Sequence, residues 1–263
     1  MKKKIEIVPY DTKWPQIFDE ESQEVKRVLG NNCIEVYHVG STSVPGLCAK
    51  PQIDIMCVVK NLKIVTDKLE NIGYKGRGEF NLPLRLFFSK KIPNDINLHV
   101  LTETSGEIEW NLVFQDYLRN NPEAIDAYAN VKLKLIKENP NGFKMIEGLF
   151  SEYTTQKTEI IMKIAQEAGF NGYRFVIATN KNEIDAYKVL MQLDKIDKMP
   201  NVFNLCLYKG IEIVAAAFVD FSKDKLLKIN KVIAKDFISK EKMLEKISEW
   251  AEFHKRNVIK EKP

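Results

Sequence analysis

The stretch HVGSTSVPGLCAKPQIDIMCVV, residues 38–59, joins two apolar runs through a segment of glycine, hydroxyl residues and proline. A hairpin turn needs only about two to five residues, and this segment is longer than that. Gly40 lets the backbone approach a ligand closely, and Ser41, Thr42 and Ser43 supply hydroxyl donors. We interpret the segment as a loop that holds a ligand.

The chemistry that this pattern indicates is phosphate binding beside one acidic residue. Successive N–H groups in a Gly-Ser turn can cradle an anion, and Lys50 adds positive charge. Asp54 lies on the following strand, where a carboxylate can hold a divalent metal that bridges to phosphates. The alternative interpretation is a capped Gly/Pro turn beside a buried aspartate that accepts backbone hydrogen bonds.

The bulk composition is typical of a globular protein of two domains. The chain has 263 residues, of which 44% are hydrophobic and 29% charged, and its net charge is +4. No basic run is dense enough to indicate a nucleic-acid surface, so nucleic acid is not an expected partner. No segment approaches the ~20 apolar residues of a membrane span, and the four cysteines form no CxxC pair. Free thiols are typical of a reducing compartment, so we expect a cytoplasmic protein.

Apolar periodicity predicts strands and helices in both parts of the chain. A first helix is expected after Asp11 or Thr12, either of which can cap it, with Pro15 in its first turn and Gly30 at its end. The other elements predicted before residue 170 are strands in residues 33–41, 52–59, 82–90 and 96–103, a helix in 62–73, and three helices between 107 and 169 with a break at Asn121-Pro122.

Residues 169–172 (GFNG) are the best linker candidate and divide the chain into predicted domains 1–169 and 173–263. The elements predicted for the second domain, of α+β class, are a strand (173–178), a helix (182–196), two or three strands (203–221 and 226–234) and a closing helix (240–256).

The quoted stretch resembles the signature of the GrpB family, which belongs to the nucleotidyltransferase fold superfamily. The resemblance continues, in the family's order, through VPYDTKWPQIFDEE (8–21), NLHV (97–100), FQDYLRNNPEAIDAYANVKLKL (114–135) and YTTQKTEII (153–161), and covers about residues 5–167. It implies an α/β (α+β) fold with a nucleotidyltransferase-like mixed sheet and flanking helices, followed here by the smaller C-terminal domain.

The superfamily pattern also implies three carboxylates, two of them two residues apart on one strand, because such residues face the same side and can hold two metals. Asp54 fits the first position, but Met56 stands at the second and His99 on the strand of the third. Magnesium prefers oxygen ligands, whereas imidazole suits zinc or manganese. Asp54 and His99 are the predicted catalytic and metal-binding residues, with Mg, Mn or Zn as the ion.

Several basic residues complete the predicted phosphate site, each with an alternative role. Arg85 lies inside an apolar strand, where its charge needs an anionic partner such as the ligand, Asp54 or Glu79. Arg119 can instead pair with Asp116 three residues earlier on a helix, and either His38 or His99 can be a half-buried histidine bonded to a carbonyl. The predicted phosphate-binding residues are His38, Gly40, Ser41, Thr42, Ser43, Lys50, Arg85, Arg119 and Lys132.

A Tyr-xxx-Lys spacing occurs twice, at Tyr128-Lys132 and Tyr153-Lys157. On a helix each pair shares one face. The repeat predicts either a cationic wall over the pocket or a solvated helix face with an aromatic anchor.

The C-terminal part weakly resembles the GNAT acetyltransferases in its order of elements. That superfamily holds the pyrophosphate of acetyl-CoA on a glycine-rich turn, but the corresponding stretch here, AKDFISKEKM (234–243), has no glycine.

The sequence as a whole is compatible with three candidate functions. The first is an enzyme of nucleotidyltransferase type acting on a nucleotide or phosphorylated small molecule, the second a non-catalytic nucleotide or anion-binding module, and the third an acetyltransferase.

Overall fold

The computed structural model describes residues 2–79, 82–146, 150–196, 200–222 and 225–260. Its contacts divide the chain into two compact units. Unit 1 comprises Met1–Phe80 and Arg85–Phe170, and unit 2 comprises Asn81–Leu84 and Asn171–Pro263. No helix among the described residues is long and apolar enough to cross a membrane.

Unit 1 is built of short strands and of helices on both sides of a sheet. Its strands are β1 (Lys2–Lys3), β2 (Cys33–Val39), β3 (Ile53–Val59), β4 (Lys75–Gly76), β5 (Arg85–Lys90), β6 (Ile96–Thr102), β7 (Phe143–Ile146) and β8 (Phe150–Ser151). Its helices are α1 (Trp14–Leu29), α2 (Thr66–Glu70), α3 (Gly106–Asn120), α4 (Pro122–Glu138), α5 (Glu152–Thr155) and α6 (Thr158–Glu167).

The main sheet has the strand order β2-β3-β6-β5-β4, and β1, β7 and β8 form a separate small sheet. β3 and β6 are parallel, whereas the other neighbours in the main sheet are antiparallel. This mixed sheet with flanking helices confirms the predicted fold class. The four strands expected from the sequence are β2, β3, β5 and β6, and the short β4 was not expected.

β3 lies inside the sheet and is covered on both faces, which explains its almost continuous apolar sequence. On one face, Val39, Met56 and Leu101 pack against Ile108 and Leu112 of α3. On the other face, the ring of His38 stacks on Phe18 of α1. His38 and Val39 are neighbours in β2, and neighbouring residues of a strand point to opposite faces. Helices α1 and α3 therefore cover opposite faces of the sheet.

Three details of the predicted helices were wrong. Residue Lys13 is the N-cap of α1 and makes no side-chain cap, although Asp11 Oδ1 accepts a hydrogen bond from the Lys13 amide at 2.9 Å. The helix expected in 62–73 is a 3₁₀ turn followed by the five-residue α2. The last helix of unit 1 is divided into β8, α5 and α6.

Unit 2 is an α+β unit with one five-stranded sheet. Its elements are β9 (Tyr173–Ile177), α7 (Lys181–Met191), β10 (Val202–Lys209), β11 (Glu212–Asp220), β12 (Leu226–Ala234), α8 (Phe237–Phe253) and β13 (Asn257–Lys260). The strand order is β13-β12-β11-β10-β9, with only β12 and β13 parallel to each other among these described pairs. Trp250 of α8 packs edge-on against Phe175 and Phe203 at the centre of its core. The strand β13 was not expected from the sequence.

Candidate functional site

The loop after β2 is held by polar contacts and by two apolar anchors. Ser41–Ser43 form a 3₁₀ turn, and Ser43 Oγ lies 2.7 Å from the Gly40 carbonyl oxygen and 3.0 Å from Oε1 of Gln115. Val44 and Leu47 are buried in a cluster formed with helices α3, α4 and α6. The apolar residues that follow the turn therefore fix it on the helical layer.

Gly40 occupies a position that only glycine fits. Its φ of 71° and ψ of −169° lie in a region that is essentially restricted to glycine. A Cβ at this position would lie 2.6 Å from Oδ2 of Asp54. The antiparallel register pairs the preceding Val39 with Asp54, so the sheet itself brings the Gly-Ser turn against the carboxylate.

Asp54 is recessed and has a neutral partner on the next strand. Its Oδ1 accepts a hydrogen bond from Nδ2 of Asn97 at 2.8 Å, because the parallel register of β3 and β6 places the two residues side by side. Burial raises the pKa of Asp54, and the bond from Asn97 and the charges of Lys50 and Lys157 act in the opposite direction. The carboxylate thus faces cationic groups.

Lys50, Lys132 and Lys157, which we call the lysine cluster, surround two tyrosine rings. Lys132 is 1% exposed, and its Nζ donates hydrogen bonds to Ser41 Oγ at 2.7 Å and to the Cys48 carbonyl at 2.8 Å. The same Nζ is 4.3 Å from the centroid of the Tyr128 ring. The ammonium groups of Lys50 and Lys157 lie 4.8 Å and 4.6 Å from the centroid of the Tyr153 ring.

The lysine cluster holds more positive charge than its surroundings compensate. Burial lowers the pKa of Lys132 to about 7 and the pKa values of Lys50 and Lys157 to about 8. The charge of Lys157 lowers the pKa of the other two further, and Asp54 raises all three. Three ammonium charges and one carboxylate charge leave a net +2 when all four groups are ionised.

His99 and Arg85 form a pair of their own. Nη1 of Arg85 lies 2.7 Å from Nδ1 of His99, and Nη2 donates to the Glu79 carbonyl at 3.1 Å. Burial and then the Arg85 charge lower the pKa of His99 to about 3, so this imidazole is neutral and Nδ1 accepts the hydrogen bond. In the register of β3 and β6 His99 is level with Met56, and Asn97 is the residue level with Asp54.

His38, Thr42 and Arg119 shape the loop. Nε2 of His38 is 3.0 Å from Thr42 Oγ1, and its ring stacks on Phe18 of α1 with 4.9 Å between centroids. Burial, aided by the Arg119 charge, lowers the pKa of His38 to about 4. Arg119 donates from Nε and Nη2 to the Ser43 carbonyl at 3.2 Å and 2.9 Å.

The alternative role expected for Arg119 also occurs, because its Nη1 donates to Asp116 at 3.1 Å. One guanidinium thus joins its own helix to the Gly-Ser loop. These contacts make Arg119 a positioning residue for the loop in this structure, and its contribution to phosphate binding stays a prediction.

The donor set around Asp54 does not fit a two-metal centre. Within the part of the chain that the structure describes, no group of three or more His, Cys, Asp and Glu side chains is placed to hold a metal ion. Asp54 accepts an amide N–H and lies near two ammonium groups. The carboxylate of the nearby Asp95 is paired with Gln52 and Lys91, whereas divalent magnesium requires free oxygen ligands. Met56, at the expected second carboxylate, is buried.

Of the residues predicted from the sequence, the structure brings Gly40, Ser41, Lys50, Asp54 and Lys132 together. Asn97 and Lys157 also belong to this site but were not in the predicted set. The repeated Tyr-xxx-Lys spacing was the signal for Lys157, and of its two interpretations the cationic wall describes the contacts. Asn97 had no signal of its own.

In unit 2 an acidic side chain caps the N-terminus of α8. Asp236 is the N-cap of α8 and accepts hydrogen bonds from the Ser239 amide at 2.7 Å and from Ser239 Oγ at 3.0 Å. In an acetyltransferase the corresponding backbone groups would face a pyrophosphate. An acidic side chain at this helix end repels such a ligand, so these contacts do not favour acetyl-CoA.

Unit 1 is thus an α/β domain with a Gly-Ser loop, one recessed carboxylate and a buried basic cluster. The chain belongs to the GrpB family, whose model, described as GrpB protein, matches residues 4–167. This confirms the family predicted from the motifs.

Relatives with sequence or structural similarity cover a similar share of the chain. A UPF0157 protein of Halalkalibacterium halodurans is 40% identical over 62% of this chain and 82% of its own length. The UPF0157 protein YqkA of Bacillus subtilis is 34% identical over 63% of this chain, but only 47% of that protein is covered. The crystal structure of the conserved protein GrpB from Enterococcus faecalis matches with a TM-score of 0.55 and 34% identity, covering 62% of this chain and 96% of that one.

Proposed function

We propose that unit 1 binds a phosphorylated small molecule of the nucleotide class, with a phosphate group between the lysine cluster and Ser41. The observation that carries this proposal is the convergence of three buried or half-buried ammonium groups beside a Gly-Ser turn, with Asp54 as the carboxylate among them. A phosphate offers several strong acceptor oxygens and negative charge, which are what this cluster lacks.

The lowered pKa values of the three lysines support the same proposal. A buried ammonium group is costly without a counter-charge, and the values near 7 and 8 express that cost. A bound phosphate would offset it. The surroundings of Asp54 favour binding over metal-dependent nucleotidyl transfer, because that reaction needs further carboxylates. This chain has Met56 at the second position and no acidic residue in β6, the strand of the third.

A thermal-shift titration with inorganic phosphate, pyrophosphate, sugar phosphates and nucleotides tests the proposal. A ligand present at about one hundred times its Kd stabilises the native state by about 2.7 kcal/mol, or about 5–10 °C for a domain of this size. We expect this shift with at least one phosphorylated compound and its loss in Lys157→Met.

The matched control is Lys163→Met on α6, because Lys163 is 67% exposed and pairs with Glu167. That variant should keep the full ligand-induced shift. The proposal is contradicted if no phosphorylated compound stabilises the wild type, or if both variants respond as the wild type does.

Ligand affinity should fall as the pH rises from about 7 to 9. Over this range Lys132, and then Lys50 and Lys157, lose their protons in the free protein. A bound phosphate favours the protonated lysines, so binding near pH 8 should take up about one to two protons. Isothermal titration calorimetry in two buffers of different ionisation enthalpy measures this uptake, and a pH-independent affinity would contradict the assignment.

A further inference from the structure

We infer that the lysine cluster takes the place that divalent metal ions have in a nucleotidyl-transfer site, so that unit 1 binds its phosphorylated ligand as the free polyanion and binds the magnesium complex more weakly. This inference rests on the proposed function and concerns the form of the ligand that the site accepts.

The first argument is the sign of the charge already present. The lysine cluster and Asp54 carry a net +2 when ionised. In a two-metal site the carboxylates leave a negative protein surface, and the metal ions neutralise both that surface and the phosphates. Here the protein supplies the positive charge, and a divalent ion brought in with the ligand would meet like charges at short range.

The second argument is that one oxygen of Asp54 is hydrogen-bonded and the other is crowded by the backbone of the Gly-Ser turn. Oδ1 accepts the N–H of Asn97 at 2.8 Å. Oδ2 faces Gly40 so closely that a Cβ there would be only 2.6 Å from it. Asn97 turns its N–H to Asp54, because its amide oxygen would be repelled by the carboxylate. The pair therefore offers a metal ion no convergent set of free oxygen ligands.

The third argument is where Lys132 lies. Its Nζ is hydrogen-bonded to Ser41 Oγ and to the Cys48 carbonyl, next to the turn that would hold the phosphate. At a pH below about 7, a lysine in this position holds a positive charge beside the loop. No metal ion is then needed to bring positive charge to that point.

The experiment is calorimetric titration of the full chain at pH 6.0 with pyrophosphate and with ATP, first in EDTA and then in excess MgCl₂, with ionic strength matched by NaCl. At this pH the lysines of the cluster are protonated in the free protein. We expect the Kd to be at least about tenfold lower in EDTA than in MgCl₂, because the magnesium complex carries two fewer negative charges.

Asp54→Asn distinguishes a site in which lysines hold the free phosphate from one in which Asp54 holds a metal ion. It removes a negative charge next to the phosphate and keeps the side-chain shape, so we expect the variant to bind either probe about threefold or more tightly in EDTA. A metal ligand would give the opposite result, with binding lost on the same substitution. Asp67→Asn, at an exposed position of α2, is the control for loss of one negative charge elsewhere and should bind as the wild type does.

The outcomes distinguish the inference from the proposed function. Binding that requires MgCl₂, or that disappears in Asp54→Asn, overturns the inference and leaves the phosphate site in place. If neither probe binds in EDTA or in MgCl₂, and no other phosphorylated compound stabilises the chain, the proposed function fails and this inference fails with it.

Discussion

Replacing Gly40 with alanine should lower the free energy of unfolding of unit 1 by about 3 kcal/mol or more and should abolish stabilisation by phosphorylated ligands. Two costs add in this variant. The backbone conformation of Gly40 costs about 1–3 kcal/mol for a residue with a Cβ. In addition, that Cβ would lie 2.6 Å from Oδ2 and 3.1 Å from Cβ of Asp54, so the turn must move away from the carboxylate.

Gly46→Ala is the matched control for this prediction, because Gly46 lies in the same loop with a φ of 80° and a Cβ there would meet nothing within 4 Å. This variant should lose only the backbone part, about 1–2 kcal/mol, and should still respond to ligand. Urea unfolding followed by tryptophan fluorescence measures both variants, with Trp14 and Trp110 reporting on unit 1. Equal losses in the two variants would contradict the close packing of Gly40 on Asp54.

The part of the site that is local in sequence could be predicted from the sequence. Gly40 and Asp54 lie on either side of one connection between two antiparallel strands, and their proximity follows from that connection. The apolar run of β3 and its single acidic residue could also be identified directly from the sequence. For such features, residue type and spacing determine the geometry.

The partner of Asp54 could not be predicted, because it depends on a register between distant strands. Asn97 and His99 are two residues apart and lie on the same face of β6. Only the parallel pairing of β3 with β6 decides that Asn97 is level with Asp54 and His99 with Met56. Nothing in either segment alone sets that alignment, so the prediction placed the histidine where the structure has the asparagine.

The lysine cluster could be predicted only in part, because its environment depends on packing between distant segments of the chain. The Tyr-xxx-Lys spacing places Tyr128 and Lys132 on one face of α4, but whether that face is solvated depends on how α4 packs against the loop and against α6. The structure buries Lys132 against Ser41 and brings Lys157 to within 5.9 Å of the Tyr128 ring centroid. The spacing identified the residues, and tertiary packing decided their environment.

Lys132→Met should weaken phosphate binding by about tenfold to a hundredfold, which corresponds to the loss of one charged hydrogen bond of about 1.5–3 kcal/mol. Methionine keeps an unbranched apolar chain that can lie against Tyr128 but has no charge. Lys134→Met on the same helix is the control, because Lys134 is 72% exposed and its partner is Glu138. Its affinity for the ligand should stay at the wild-type value.

The pH dependence of stability provides a second readout that does not require a ligand. The pKa of Lys132 is about 7 in the folded chain and near the ordinary lysine value of about 10.4 in the unfolded chain. Between these values the unfolded state binds more protons, so this residue makes the wild type more stable as the pH rises from about 7 towards 10.

Lys132→Met should remove that part of the rise, and Lys134→Met should keep it, when urea unfolding is measured at several pH values. If Lys132→Met binds phosphate as the wild type does, Lys132 does not contact the ligand. If its stability instead keeps the full wild-type rise with pH, another group carries the buried charge. If Lys132→Met, and not Lys134→Met, loses both the phosphate affinity and the rise in stability with pH, one buried ammonium group causes both effects. That group then destabilises the ligand-free site and also binds the phosphate.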